Sequence, residues 1–335
     1  MNIVYLIGNG FDLNLGMKTS YADFYESYLK YPFPTDAEER LISHIAAYKD
    51  SNLWSDLEKG FGQYTVHIKN TAELREVYFA LNDNLHSYLR GQVIDDKYLN
   101  SIYATKLKKD LANPQHYFVD RIKRNILDFM SPNSVLSDTI TIISFNYTDT
   151  IEKVLDLEKN KLPLELVTKN ASGSKRILHS IFHIHGTLDD TELILGVDDP
   201  SQIANETFRE DPSALSMLMK PQTTINRGDL LDEKCEQAMD NADMFCLFGV
   251  SLGETDNKWW NILCNRFSNN NVHIIYYPHS DKEFKYNQDK WDAERKFKED
   301  ILEKFVADGY NKTELAKRVH VAINSNMFSY PNSAV

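Results

Sequence analysis

A chain of 335 residues, 42% hydrophobic and 26% charged, is long enough to bury a full core and too apolar to stay disordered over most of its length. Its formal net charge of −12 excludes a surface built mainly to hold a nucleic-acid duplex, because phosphate neutralisation needs a lysine and arginine excess. The three cysteines, Cys235, Cys246 and Cys264, have no C-x-x-C spacing, so neither a zinc knuckle nor a disulfide framework is expected, and a reducing cytoplasm is the expected location.

Asn2–Ile7 is almost unbroken apolar, the pattern of a strand covered on both faces. The run is too short for a signal-peptide core or a membrane span, and no other stretch reaches that length, so no membrane is expected. After the Gly8-Asn9-Gly10 turn, Ser20 is placed to cap a helix, with Asp23 three residues on. The pattern stays helical to about Leu136, which predicts a helical insertion or lid over residues 20–136 inside a single 1–335 domain. The basic runs Lys106–Lys109 and Arg121–Arg124 lie among helix formers and read as solvated helix faces. Further strands are predicted at Thr139–Phe145, Ile177–Ile184, Glu192–Gly196, Asp243–Gly249, Val272–Tyr277 and Val319–Ile323. Helices are expected at Thr148–Leu157, Leu231–Asn241, Asn257–Asn269 and Lys282–Asp308, with Asp198–Phe208 as a loop. The alternation in the later half implies an α/β fold with a doubly wound, mainly parallel sheet.

Four of these strands stop at small or polar residues, and open α/β sheets place ligands at such strand ends. Gly8-x-Gly10 between a strand and a helix suits a phosphate-binding turn. Leu13, however, occupies the third position of the dinucleotide fingerprint, so the motif is equally a tight turn that needs glycine. Asn146, Thr148 and Asp149 follow a buried strand; they either cap the next helix or aim the Asn146 carboxamide at a sugar hydroxyl or water. His183 and His185 share one strand face, and no third ligand stands at metal-binding spacing, so no metal is expected. An imidazole at the end of a strand, beside Gly186, suits proton transfer near neutral pH. Gly249-Val250-Ser251-Leu252-Gly253 followed by Asp256 is a second small-residue turn, fit to hold a ribose or adenosine. Trp54–Glu58 and Trp259-Trp260 read as core at helical spacing, and Lys220-Pro221 carries no decisive signal.

As an ordered set, Leu6–Leu13, Thr19-Ser20-Tyr21-x-Asp23-Phe24, Trp54-x-x-Leu57-Glu58, Ser144–Thr148 and His183–Gly186 resemble the AbiH family of bacterial phage abortive-infection proteins. The same blocks resemble the NAD-binding elements of the sirtuin superfamily. Gly8-Asn9-Gly10 is similar to its Gly-Ala-Gly turn, Phe145–Asp149 to its Gln-Asn-Ile-Asp element, His185-Gly186 to its catalytic His-Gly, and Gly249–Leu252 to its Gly-Thr-Ser-Leu element. The zinc-ribbon cysteines and an acyl-lysine groove are absent from the pattern, so the resemblance implies a sirtuin-like NAD hydrolase of bacterial defence and not a deacylase.

That resemblance implies roles. His185 would be the general base, Asn146 would orient the ribose or a water, and Asp149 would support it. Gly8, Asn9 and Gly10 would take the diphosphate, Asp12 would lie near the nicotinamide ribose, and Gly249, Ser251 and Leu252 would hold the adenosine side. The expected activity is hydrolysis of NAD to nicotinamide and ADP-ribose in phage defence. The alternative is a non-catalytic sensor of NAD, ADP-ribose or a related nucleotide that acts through a partner protein. Expected partners are the nucleotide, a phage-derived or host activator and a second copy of the chain. A nuclease toxin would need a basic groove and a metal site, and neither is visible.

Overall fold

The computed structural model describes residues 1–49, 53–130, 137–167, 175–190, 192–228 and 230–331. Seven strands form one sheet: β1 (Asn2–Ile7), β2 (Ser137–Ser144), β3 (Leu164–Val167), β4 (Lys175–His183), β5 (Met244–Phe248), β6 (His273–Tyr277) and β7 (Val319–Val321). Their order is β3-β4-β2-β1-β5-β6-β7. Every pairing is parallel except that of the edge strand β3 with β4. With that edge set aside, the strands run third-second-first-fourth-fifth-sixth, the doubly wound order of dinucleotide folds. The winding reverses at β1, whose neighbours are β2 and β5. The ends of β1 and β5 lie level, Ile7 opposite Phe248.

Helices fill the intervals. Before β2 come α1 (Gly10–Asn14), α2 (Tyr21–Tyr28), α3 (Asp36–Tyr48), α4 (Leu57–Tyr64), α5 (Thr71–Arg90), α6 (Ser101–Ala112) and α7 (Asp120–Met130). Later ones are α8 (Thr150–Leu155), α9 (Glu206–Glu210), α10 (Pro212–Leu218), α11 (Lys220–Arg227), α12 (Leu231–Asp240), α13 (Asn257–Asn269), α14 (Asn287–Phe305) and α15 (Lys312–Leu315). No helix among the described residues is long and apolar enough to cross a membrane.

Strand β1 explains the layering. Ile3, Tyr5 and Ile7 face a core shared with α6, α7 and the Met327-Phe328 segment, while Val4 and Leu6 face one shared with α12, α13 and α14. Both faces are covered, which is why the strand carries no polar alternation. A third core joins α2–α5 to Tyr147 and to residues 193–219. The expected helical stretch therefore has two parts: α2–α5 build their own core, while α6 and α7 form an ordinary layer on the sheet. Ser20 caps α2 as expected, its Oγ accepting from the Asp23 amide at 3.1 Å.

One expected strand is not a strand. The expected strand Glu192–Gly196 joins no sheet, and Val197 next to it makes only an isolated bridge with Met219. Side chains and a loop carbonyl satisfy the backbone instead: Asn82 serves both polar groups of Leu193, the Ile194 N–H donates to the His185 carbonyl, Tyr147 donates to the Ile194 carbonyl and Tyr78 to that of Leu195. Apolar β-formers with buried backbone look the same in sequence whichever partner takes their hydrogen bonds. Helix α9 likewise begins inside the expected Asp198–Phe208 loop, capped by Asn205. Edge strand β3 has no counterpart among the expected strands.

Candidate functional site

The cleft forms where two glycine turns meet. Gly8 N–H donates to the Phe248 carbonyl and Gly10 N–H to that of Gly249, each at 3.0 Å. A Cβ on Gly10 would stand 2.4 Å from Gly249 Cα, and one on Gly8 2.5 Å from Gly249 O. Gly249 has φ +66°. These glycines permit the close approach of two backbones. The Gly8 and Gly10 amides are engaged there, while those of Asn9, Val250 and Ser251 have no acceptor among the described residues. The Asn9 side chain is engaged too, accepting from the Thr19 hydroxyl at 2.6 Å and donating to its carbonyl at 3.0 Å. It thereby ties the turn to the start of α2.

Helix α1, ahead of the expected helix at Ser20, begins directly at Gly10 and turns Asp12 inward. Asp12 Oδ2 accepts from the Thr148 hydroxyl at 2.5 Å, and Oδ1 is buried without a partner. Burial pushes the carboxyl pKa up to about 6, against the Thr148 hydrogen bond, the nearby Thr150 and Asn146 side chains and the His183 charge. Asn146 stands just past β2, its N–H on Ser144 Oγ at 3.2 Å and its Oδ1 also buried and unpartnered. Its carbonyl accepts from His183 Nδ1 at 2.8 Å, and His183 Nε2 reaches Glu152 at 2.7 Å. Burial opposes charge on His183, yet Glu152 and the Asn146 carbonyl hold its pKa above the ordinary imidazole value. His183 thus braces the Asn146 turn from behind, while His185, past the end of β4, lines the cleft. The two histidines have different partners.

Beside the cleft lies a buried set of charges. His185 Nε2 is 2.9 Å from Asp256 Oδ1 and 3.3 Å from Lys220 Nζ. Lys220 Nζ donates to the same Asp256 oxygen at 2.8 Å and pairs with Glu58 Oε2 at 2.6 Å. Two donors on one carboxylate oxygen are obtained when His185 carries its proton on Nε2, as in carboxylate–histidine pairs that leave the other nitrogen basic. Burial and then the Lys220 charge hold the His185 pKa below its ordinary value, with Asp256 and the Phe145 carbonyl opposing them. Burial raises the Glu58 pKa above the ordinary carboxylate value, with Lys220 opposing it. Against burial, Lys220 and His185 hold Asp256 well below the usual carboxylate range. The Phe145 ring meets His185 edge-on at 5.7 Å and stacks on Trp260 at 5.3 Å.

The cleft holds about 690 Å³, a size suited to a cofactor-scale ligand. The sheet side contributes Gly8, Asn9, Gly10, Asp12, Asn146, His185, Gly249 and Ser251, and the helical side Tyr21, Glu58, Leu85 and Leu89. Two expected site residues stand elsewhere. The Asp149 side chain is 40% exposed and paired with Lys153 at 2.7 Å. It occupies the cap position of α8 without a side-chain cap bond, because its side chain points toward the next helical turn. Leu252 packs into the α13–α14 core and contributes its carbonyl to Lys304. Neither lines the cleft. Lys220 carries no site signal in sequence, Glu58 reads there as part of a core stretch, and Asp256 only as the residue following a turn. The local signal available was a charged residue inside an apolar helix start, as in Trp54-Ser55-Asp56-Leu57-Glu58.

Comparison with known families agrees with the motif order. The family model described as Bacteriophage abortive infection AbiH matches residues 4–277. The chain belongs to the AbiH family. The match runs from within β1 to the end of β6, so it takes in both glycine turns, Asn146, His185 and the buried charges. Family membership links the chain to phage abortive infection. No curated protein matches it.

Proposed function

We propose that this AbiH protein binds NAD in the cleft and hydrolyses the nicotinamide–ribose bond as an effector of phage defence. The observation that carries the proposal is a pair of buried acceptors without partners, Asp12 Oδ1 and Asn146 Oδ1, in a cleft that His185 also lines. Buried unpaired acceptors are costly, and a ribose supplies hydroxyl donors. The amides of Asn9, Val250 and Ser251 suit a diphosphate. Asp12 and Asp56 line the cleft, Glu58 and Asp256 are shared with Lys220 at its wall, and no lysine or arginine stands among the lining residues, which suits the cationic nicotinamide ring.

In the proposed reaction a water oxygen bonds to ribose C1′ as the C1′–nitrogen bond breaks. The bonding pair stays with the ring nitrogen, so nicotinamide leaves neutral and needs no proton. The developing oxocarbenium character resembles that of glycoside hydrolysis. His185, kept neutral at pH 7 by burial and Lys220, takes the water proton, and Asn146 orients the ribose or the water.

The test is nicotinamide release from NAD by purified protein, alone and with phage-infected lysate, beside His185→Ala. Release falling about 10²-fold or more in the variant, with NAD binding retained, supports the hydrolase. Binding without release under either condition replaces it with a nucleotide sensor acting through a partner. Absence of binding removes the nucleotide site.

A further inference from the structure

Lys220 has a place in this site that the hydrolytic step above does not use. It is 5% exposed and opens α11, its backbone N–H on the Val197 carbonyl at 2.9 Å. Its ammonium gathers groups from three other parts of the chain: Glu58 on α4, Asp256 after β5 and His185 after β4. An isolated Asp256 carboxylate 2.9 Å from His185 would draw the imidazole to its charged form, with protons on both nitrogens and no base left. The ammonium at the same Oδ1 supplies the counter-charge instead.

We propose that Lys220 is a positioning residue for His185: by pairing with Asp256 Oδ1 it keeps the imidazole neutral and so able to take a proton. Glu58 holds Lys220 from the helical body, so the same ammonium joins the α2–α5 core to the sheet edge. The groups facing His185 are Asp256, Lys220, the Phe145 carbonyl and ring, and the Tyr147 ring at 6.0 Å. Asp56 lies beyond Glu58 and adds to the acidic side. A buried ion pair serving only stability would leave His185 chemistry untouched when removed as a pair. The catalytic meaning rests on His185 being the base proposed above, but the arrangement of protons does not.

The experiment follows the His185 ring nitrogens by NMR across pH 5 to 9 in protein with ¹⁵N-labelled histidine, without NAD. Wild type, Glu58→Gln and the double variant Glu58→Gln/Lys220→Met are compared, the double variant removing the ion pair as a unit. Glu58→Gln is expected to titrate like wild type, with a neutral imidazole at pH 7. The double variant is expected to titrate at higher pH and to lose the neutral tautomer at pH 7. Lys220→Gln, which keeps a donor but no charge, is the second variant, with the same upward shift expected. Nicotinamide release at pH 7 should fall about tenfold or more in both and recover as pH rises. Identical titration with and without Lys220 overturns the proposal even if NAD is hydrolysed. Failure of wild type to hydrolyse NAD removes the proposed function while the titration still decides the role of Lys220.

Discussion

Replacing Gly249 with alanine separates two effects that glycine usually combines. At φ +66° the new Cβ suffers left-handed strain of about 1 kcal/mol. It would also stand 2.6 Å from Gly10 Cα and 2.8 Å from both Gly10 N and C. Ordinary carbon contacts are about 3.5 Å or longer, so the two turns must part by about 1 Å. Overpacking of this kind costs about 1–3 kcal/mol, and the Gly10–Gly249 hydrogen bond weakens with it. The total is about 2–4 kcal/mol. Gly228 is the control: φ is +68° and a Cβ added there would meet nothing within 4 Å, so Gly228→Ala costs only the strain, about 1 kcal/mol. Urea unfolding of both variants measures the difference, and calorimetry with NAD measures the cleft. Gly249→Ala is expected to lose more stability and to bind NAD more weakly, with Gly228→Ala binding as wild type. Equal costs would refute the claim that the two turns are held at backbone contact.

Asp12→Asn tests the buried carboxyl. Its folded pKa is raised from 3.8 to about 6, so its stabilising contribution is complete below 3.8 and is lost as pH rises through about 6. About 2 units correspond to about 3 kcal/mol, so the variant should gain on wild type by up to that amount between pH 4 and pH 8 in urea midpoints. A pH-independent gap contradicts the assignment. Asp256→Asn should cost about 3 kcal/mol, since it breaks a buried charge set while Glu58 stays on Lys220; unchanged urea unfolding would show the set is not coupled. Asp149→Ala should change stability by at most about 0.5 kcal/mol, because its pair with Lys153 is largely exposed. It should also leave NAD affinity unchanged, and a tenfold loss would return Asp149 to the site.

The legible parts of the site were those with a local cause. Asp12, Asn146 and His185 each follow a buried strand within a few residues, and a strand that ends at the sheet edge carries its next residues to the cleft. Asp149 stands outside the cleft at the cap of α8, paired with Lys153, and cap chemistry looks the same in sequence as catalytic chemistry. Thr148, a cap candidate, instead donates to Asp12, a residue 136 positions away along the chain. The Glu192–Gly196 stretch misled as a strand, since its pattern records burial but not the hydrogen-bond partner.

By itself the sequence determined the buried strands, their polar endings, the α/β class and the motif order that marks the AbiH family, because each depends on short-range patterning. Tertiary structure alone decided that Gly10 and Gly249 touch and that Lys220, Glu58, Asp256 and His185 share one buried volume. Their spacing along the chain contains no such information. A charge becomes chemically exceptional only when packing removes its water, and packing joins helices and strand ends that the sequence keeps far apart.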